Sequence, residues 1–391
     1  MYSVDGQKFE AGEIGFQPLL ARAYRNRVRP MCLCSVEPVP VYITCLGGTF
    51  VLKRMPCTGG LHAVDCLHYE PPEGMSGSAD IGAAISEDRH TGLTELNVDF
   101  SLSCTPSRPT SDRIASAVSS IHTTRPRLSL RGLLQFLWNE AELTTWKPAF
   151  AGKRTWAVVR HHLLRAAENK VLNGQLLATV MFVPESFSVS DKAQIAARRA
   201  DRLANRLMRP GQGQGKMIVI GEIKEILPAR CAFNIVLKHL PDLPFSIEAN
   251  VHRRMIQNFN DEVSLWRSPV DVHLVLAATF TLASGGQPMI DAMCLLTTSA
   301  KWIPADDAFE LRLVDSLVHQ CRSFRKFQRL NLKVPSLSSS AVLLDVKPAP
   351  IGLALLRDGD DSVDATTAAE SDSPPDWIWR IGERDLPAFP Q

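Results

Sequence analysis

Five of the nine cysteines in this 391-residue chain fall between Cys32 and Cys66. Cys32 and Cys34 precede two stretches of alternating apolar residues that meet at a Gly-Gly pair, a pattern typical of a β-hairpin. His62 and Cys66 follow the hairpin, which returns the chain close to its starting point. Thiolate and imidazole groups at both ends of a hairpin are the ligands that a structural zinc ion takes in a tetrahedron. The sequence therefore predicts a zinc-ribbon-like unit over residues 1–75.

The predicted zinc ligands form a closed set that leaves no position for a catalytic water. They are Cys32, Cys34, His62 and Cys66. Cys45, Cys57 and His68 are competing ligands in the same unit. The alternative interpretation is a group of free cysteines that pack as small apolar side chains. If zinc is bound, metal binding contributes to the folding free energy of this unit.

The composition is that of a globular protein, with 45% hydrophobic and 21% charged residues. A length of 391 residues corresponds to two or three domains at roughly 150 residues each. The formal net charge of +2 excludes a uniformly basic protein that coats nucleic acid, although it permits a local basic face.

The start of the chain and its apolar stretches predict a cytoplasmic protein. Residues 1–8 lack the basic and then apolar order of a secretory signal. The longest nearly uncharged apolar stretch, Val272 to Ala283, has about 12 residues, whereas a membrane-spanning helix needs about 20. An odd number of cysteines without a signal argues against a disulfide framework. We therefore expect no association with a membrane.

The apolar spacing predicts a multi-domain α+β fold. Spacings of three and four residues predict helices between residues 128 and 209, and alternation from Lys216 onward predicts an antiparallel sheet. The predicted ranges are 1–75 for the zinc-ribbon-like unit, 76–127 for a strand pair and a Ser/Pro-rich linker, 128–300 for the basic helices and the sheet, and 301–391 for a C-terminal α/β subdomain. Within the last range, residues 358–376 are acidic and rich in Ser and Thr, so we expect a mobile segment there.

Positive charge is concentrated in residues 151–210, which hold eleven Lys or Arg against four acidic residues. Several of these cations recur at helical spacing on one face, and a tryptophan lies beside others. Such groups bind phosphate and stack on bases. The residues predicted to bind DNA or RNA are Lys153, Arg154, Trp156, Arg160, Arg198, Arg202 and Arg206. The alternative is a solvated basic face, or ion pairs with acids elsewhere in the chain.

Short segments along nearly the whole chain resemble those of one bacterial family. They include Arg29-Pro-Met-Cys-Leu-Cys, Phe50-Val-Leu-Lys-Arg-Met-Pro, Tyr69-Glu-Pro-Pro, Phe182-Val-Pro-Glu-Ser-Phe, Gly221-Glu-Ile-Lys-Glu-Ile and Trp377-Ile-Trp-Arg. Together they resemble the family known as domain of unknown function 1173, which is described by its N-terminal cysteines. The resemblance implies a proteobacterial protein that accompanies plasmids or integrated mobile elements. The leading hypothesis is a zinc-binding, nucleic-acid-binding accessory protein of a mobile element, without enzyme activity.

The C-terminal part is similar in layout to a degenerate PD-(D/E)xK nuclease core. A helix carries Glu310, and Asp345 at a strand end begins the D-x-K sequence that Lys347 completes. These nucleases hold Mg²⁺ with acids on adjacent strands, and the neighbouring strands here carry none, so the resemblance implies an inactive core. Glu222 and Lys224 form an E-x-K pair on another strand, for which a surface ion pair is the alternative. A divergent or inactive nuclease is therefore the second hypothesis.

A third hypothesis is a protein-interaction scaffold. In that case the acidic residues 358–376, together with Trp377 and Trp379, dock a protein partner.

Overall fold

The computed structural model describes residues 1–46, 48–55, 58–63, 66–69, 84–87, 93–102, 127–207, 215–229, 232–283, 285–328, 339–357, 377–382 and 385–391. The fold is α+β with several sheets, as predicted. Three predicted features lie outside the described residues: Cys57, the Ser/Pro-rich linker over 103–126, and the acidic segment 358–376.

The N-terminal unit is an antiparallel sheet covered by one helix. Its elements are β1 (Tyr2–Val4), β2 (Gln7–Phe9), α1 (Phe16–Arg25), β3 (Met31–Cys32), β4 (Val39–Leu46) and β5 (Thr49–Arg54), with strand order β2-β1-β3-β4-β5. Leu19, Leu20 and Ala23 on one face of α1 pack against Val41 and Ile43 of β4. The predicted hairpin is confirmed.

A second sheet joins segments that are far apart in the chain. The next elements are β6 (Ile85–Glu87), β7 (Thr94–Leu96), α2 (Leu130–Glu140), β8 (Thr145–Trp146), α3 (Trp156–Ala167), β9 (Lys170–Leu172), β10 (Gln175–Leu176) and α4 (Leu177–Val180). The order β10-β9-β7-β6 unites strands from the predicted ranges 76–127 and 128–300. Helix α2 begins after Ser129, whose hydroxyl accepts a hydrogen bond from the Gly132 N–H.

The strands predicted from Lys216 onward close into a barrel. The elements are β11 (Met181–Phe182), α5 (Lys192–Leu207), β12 (Met217–Pro228), β13 (Ala232–Leu237), β14 (Leu240–Glu248), α6 (Ala249–Asn258), α7 (Asn260–Arg267), β15 (Val272–Leu282) and β16 (Pro288–Ser299). The order is β12-β13-β14-β16-β15, and β15 pairs again with β12. The pairing of β14 with β16 is parallel, and the other four pairings of the barrel are antiparallel. The short strand β11 adds a second parallel pairing, with β12. The sheet is therefore not purely antiparallel.

Strand β12 closes the barrel because each half of it pairs with a different neighbour. Met217 to Glu222 pair with β15, and the residues from Ile223 onward pair with β13 across a register shift. Side chains on the inner face, such as Val219, fill the barrel, whereas Ile218 on the outer face packs in the core that contains α2. This strand order, with helices between the third and fourth strands, is that of the OB-fold, a five-stranded Greek-key barrel.

The C-terminal elements are α8 (Ala308–His319), β17 (Phe324–Lys326), β18 (Ala341–Leu343), β19 (Ile351–Leu356) and β20 (Trp377–Arg380). Their sheet has the order β20-β19-β18-β17-β8, so it recruits a strand from the predicted range 128–300. Trp377 and Trp379 are buried in its core, and neither ring is available to dock a partner.

Candidate functional site

The side chains of Cys32, Cys34, His62 and Cys66 converge beside β3. Cys32 Sγ lies 3.6 Å from Cys66 Sγ, and His62 Nδ1 lies 3.3 Å from Cys34 Sγ and 3.8 Å from Cys66 Sγ. All four ligand atoms fall within 4.8 Å of one another. The structure thus brings together the complete set that the sequence predicts.

These distances fit a tetrahedral metal ion. Bonds of about 2.3 Å to sulfur and about 2.0 Å to nitrogen place tetrahedral ligand atoms roughly 3.5–3.8 Å apart. The main-chain N–H groups of Ala63 and His68 each donate to a cluster sulfur at 3.4 Å, which stabilises thiolate charge. The geometry and chemistry of the donor set therefore suit a metal ion of the zinc type.

Burial governs the ionisation of the cluster in the absence of a cation. It raises the pKa of the Cys32 thiol to about 12 and raises the pKa of Cys66. It also lowers the pKa of His62. A bound dication would oppose the effect of burial on the cysteines, because it favours their thiolates, and would act with burial on His62, because both favour the neutral imidazole.

The competing ligands have other surroundings. His68 is buried, and its Nε2 lies 3.0 Å from the hydroxyl of Tyr2. Burial lowers the pKa of His68 to about 4, so this ring is neutral. It packs against the ring of His62, with ring centroids 5.3 Å apart. Cys45 lies on β4 and is not part of the converging group.

The family model described as "Protein of unknown function (DUF1173)" matches residues 2–382. The chain belongs to this family. The match spans the cysteine and histidine cluster, the barrel and the whole C-terminal sheet of this DUF1173 protein. No curated protein matches the chain.

Two of the predicted nucleic-acid-binding residues have structural contacts inside the fold. Arg154 donates to main-chain carbonyl groups within residues 142–145, and burial lowers its pKa to about 10. Trp156 is buried, stacks on His239 with ring centroids 5.3 Å apart, and donates its indole N–H to a main-chain carbonyl. Its placement gives no support to a base-stacking role. Lys153 is exposed.

Three of the other four predicted arginines line one cavity of about 220 Å³. Arg160 comes from α3, and Arg198 and Arg202 come from α5. Arg199 and His239, which the sequence analysis did not select, also line this space. Arg199 follows Arg198 in the basic run, so the sequence could have indicated it as a cavity residue, whereas nothing in the sequence marks His239. The side chain of Arg206 lies outside the described residues.

Glu222 is buried among basic groups. Its Oε1 accepts hydrogen bonds from Lys238 Nζ at 2.9 Å and pairs with His273 Nδ1 at 2.8 Å. His239 Nε2 lies 3.8 Å from Oε2, which has no hydrogen-bond partner. Lys224 instead pairs with the next residue in sequence, at 3.1 Å. A carboxylate that already accepts from Lys238 and pairs with His273 is a poor Mg²⁺ ligand, so the structure gives no support to a nuclease site at the E-x-K pair.

The C-terminal nuclease candidates are also held in separate ion pairs. Asp345 accepts two hydrogen bonds from the Arg322 guanidinium, from Nη2 at 2.8 Å and from Nε at 3.0 Å. Glu310 pairs with Lys326 at 3.0 Å. Among the residues that the structure describes, the cysteine cluster alone brings three or more His, Cys, Asp or Glu ligand atoms within 4.8 Å.

Within the described part of the chain, no helix is both long and apolar enough to cross a membrane.

The surroundings of Glu222 predict a pH-dependent contribution to stability. Burial alone raises its pKa, but the contacts with His273 and Lys238 outweigh burial and leave the pKa below its usual value. The ionised group therefore stabilises the fold above about pH 4.3, and this contribution is lost as the pH falls through the folded-state pKa.

Glu222→Gln is expected to lower the melting temperature at neutral pH and to have a smaller effect below about pH 4. Thermal unfolding followed by tryptophan fluorescence across this range measures the difference from the wild type. Glu225→Gln is the matched control, because that carboxylate is on the same strand and is 40% exposed. The prediction is contradicted if the melting temperature of Glu222→Gln differs from that of the wild type by the same amount at every pH.

Proposed function

We propose that this protein binds a structural zinc ion in its N-terminal unit and binds nucleic acid through the barrel and the adjacent arginines, without cleaving it. The observation that carries the proposal is the closure of β12–β16 in the OB-fold order. The accessory role in a mobile element, which the family resemblance implies, is part of the same proposal.

The exposed part of the barrel supports this proposal. OB-folds bind oligonucleotides across the outer face of their second and third strands, which correspond here to β13 and β14. The outer face of β12 near its start, together with β15 and β16, packs against the helices. Lys224 and Lys238 border the remaining face, with side chains 55% and 52% exposed. Asn234 of β13 and Ser246 of β14 are only partly buried, which leaves part of the surface of these strands accessible to a ligand, with cations at its edge.

The metal cluster would act through folding rather than chemistry. Four protein ligands occupy all positions of a tetrahedral zinc ion, so no position remains for an activated water. When bound, zinc supplies cross-links among β3, the loop after it and the segment after the hairpin. Cys32, Cys34, His62 and Cys66 would hold it, and His68 with Tyr2 would support the back of the site.

Nucleic-acid binding is expected to weaken steeply with salt, because Lys and Arg side chains release counterions from the phosphates they neutralise. The measurement is fluorescence anisotropy of labelled single- and double-stranded DNA and RNA across a salt series. Lys224→Gln is expected to reduce the salt slope by about one contact.

Lys8→Gln is the matched control for this series, since it removes one exposed positive charge from β2 in the N-terminal unit. It is expected to leave the slope unchanged. Absence of binding at low salt, or binding that does not respond to salt, contradicts the proposal. Cleavage of the labelled strands in Mg²⁺ by purified wild-type protein contradicts the assignment as a non-enzyme.

A further inference from the structure

The cavity of about 220 Å³ lies between α3, α5, the segment after β11 and the turn that joins β13 to β14. Four arginines and one glutamate provide most of its charge. The charged and polar side chains around it are Arg160, Arg198, Arg199, Arg202, His239 and Glu185. A cavity of this composition favours an anion.

Two of the arginines are already neutralised. Arg198 donates to both carboxylate oxygens of Glu185, at 2.6 and 3.1 Å. Arg199 makes the same two-bond contact with Asp242, at 2.8 and 2.9 Å. These pairs fix the planes of both guanidinium groups at the rim of the cavity.

The other two arginines are held in place by neutral groups. Arg160 Nε donates to the Val183 carbonyl at 3.2 Å. Arg202 donates to the carbonyls of Ala178 and Met181, at 2.9 and 2.8 Å. Within the described residues, neither guanidinium has a carboxylate within 4.0 Å. Since each guanidinium has five N–H donors, both retain donors for a ligand.

Arg160 is half-buried and Arg202 is exposed, and the partial desolvation of the two guanidinium groups disfavours their charge in the absence of an anion. Burial lowers the pKa of Arg202, and burial together with the nearby Arg202 and Arg198 lowers the pKa of Arg160. A ligand with at least two negative oxygens relieves this repulsion and accepts the remaining donors. Phosphate matches the forked geometry of a guanidinium, which donates two parallel hydrogen bonds.

We infer that this cavity binds a phosphate group, with Arg160 and Arg202 as its principal donors and Arg198 at the rim. The volume is below the roughly 300 Å³ at which typical small-molecule sites begin, so it accommodates a terminal phosphate and part of the attached sugar. The phosphate comes from a nucleic-acid end or from a small molecule. Only the first source rests on the proposed function.

The test uses the full-length, metal-loaded protein and inorganic phosphate as the first probe, in isothermal titration at low salt. Two single-stranded oligonucleotides of one sequence, with a 5′-phosphate or a 5′-hydroxyl, are then compared by anisotropy. Phosphate is expected to bind. Tighter binding of the phosphorylated strand supports a nucleic-acid end as the source, and equal binding of both strands supports a small phosphorylated molecule.

The variants connect binding to the cavity. Arg202→Gln and Arg160→Gln are each expected to weaken phosphate binding roughly tenfold, because each removes a charged donor. Arg198→Gln serves as a second variant with little risk to folding, since its side chain is 53% exposed. Arg165→Gln is the control, because it removes an exposed charge from the same helix as Arg160 outside the cavity.

The inference and the proposed function fail in different ways. Absence of phosphate binding, or equal phosphate affinity in Arg202→Gln, Arg198→Gln and wild type, overturns the inference even if the hydroxyl strand binds. Phosphate binding that these variants weaken, without binding of either strand, supports the cavity site and contradicts the proposed function.

Discussion

Removal of the metal is expected to unfold residues 1–69 while the barrel and the C-terminal sheet stay folded. The hydrophobic core of the N-terminal unit is small and separate from the three larger cores. Structural zinc contributes about 10–16 kcal/mol of binding free energy in small zinc units, which is comparable to the whole stability of a domain. A core of this size is not expected to remain ordered without its metal.

The distribution of aromatic residues allows the two parts to be followed separately. All four tyrosines lie within residues 1–69, and all seven tryptophans lie after residue 127. Chelation of the full-length protein is expected to expose the tyrosines in second-derivative ultraviolet absorption while the tryptophan emission is unchanged. Limited proteolysis in chelator is then expected to begin within residues 1–69.

Matched cysteine variants separate metal loss from general damage. Cys34→Ser removes a predicted ligand and is expected to reproduce the effect of the chelator and to lower the bound zinc. Cys45→Ser changes a cysteine of the same unit outside the cluster and is expected to retain one zinc per chain. The assigned ligand set is contradicted if the tyrosines stay buried in strong chelator. It is also contradicted if Cys45→Ser loses its zinc while Cys34→Ser retains it.

Local sequence patterns predicted the convergence of the cysteine and histidine side chains and the long strands β12, β15 and β16. The ligands lie on either side of a short hairpin, and a hairpin brings its two ends together whatever the rest of the chain does. Likewise, the alternation in β12, β15 and β16 reflects burial of one face of each strand. These features depend on neighbours in sequence, so sequence periodicity is sufficient to find them.

Closure of the barrel was not predictable in the same way. It depends on the parallel pairing of Ser246 with Met289 and on the register shift in β12 that lets one strand serve two neighbours. Periodicity indicates that a strand has a buried face, but it does not indicate which strand pairs with it. The pairing of β7 with β9 was missed for the same reason, because the two strands lie on opposite sides of the Ser/Pro-rich stretch.

The basic residues show a second limit of prediction from the sequence, because their contact partners are distant in the chain. Charge and spacing placed Arg198 and Arg202 on one helix face, but their partners lie 13 or more residues away in sequence. Trp156 was predicted to stack on bases because cations flank it in the sequence. Its spacing with Val159 and Leu163, three and seven residues on, is that of a buried helical face and was a usable signal.

Disruption of the ion pair between Glu310 and Lys326 is expected to destabilise the C-terminal sheet by about 3–5 kcal/mol. The two charges lie 3.0 Å apart, and both side chains are almost completely buried, at 2% and 3% exposed. Lys326 Nζ also donates to the Phe327 carbonyl, and Glu310 accepts from the Asp306 N–H. Glu310→Leu therefore leaves a buried ammonium with one neutral partner, and the loss is expected to appear as a lower urea midpoint.

The double variant distinguishes a structural ion pair from a metal ligand. Glu310→Leu combined with Lys326→Met removes both buried charges, so it is expected to recover most of the stability lost in the single variant. Urea unfolding followed by tryptophan fluorescence reports this sheet, because Trp146, Trp377 and Trp379 lie in its core. If Glu310 were a Mg²⁺ ligand, added Mg²⁺ would stabilise the wild type and not the double variant. Equal midpoints with and without Mg²⁺, together with recovery in the double variant, assign Glu310 to the support of the sheet, where it forms an ion pair with the buried lysine.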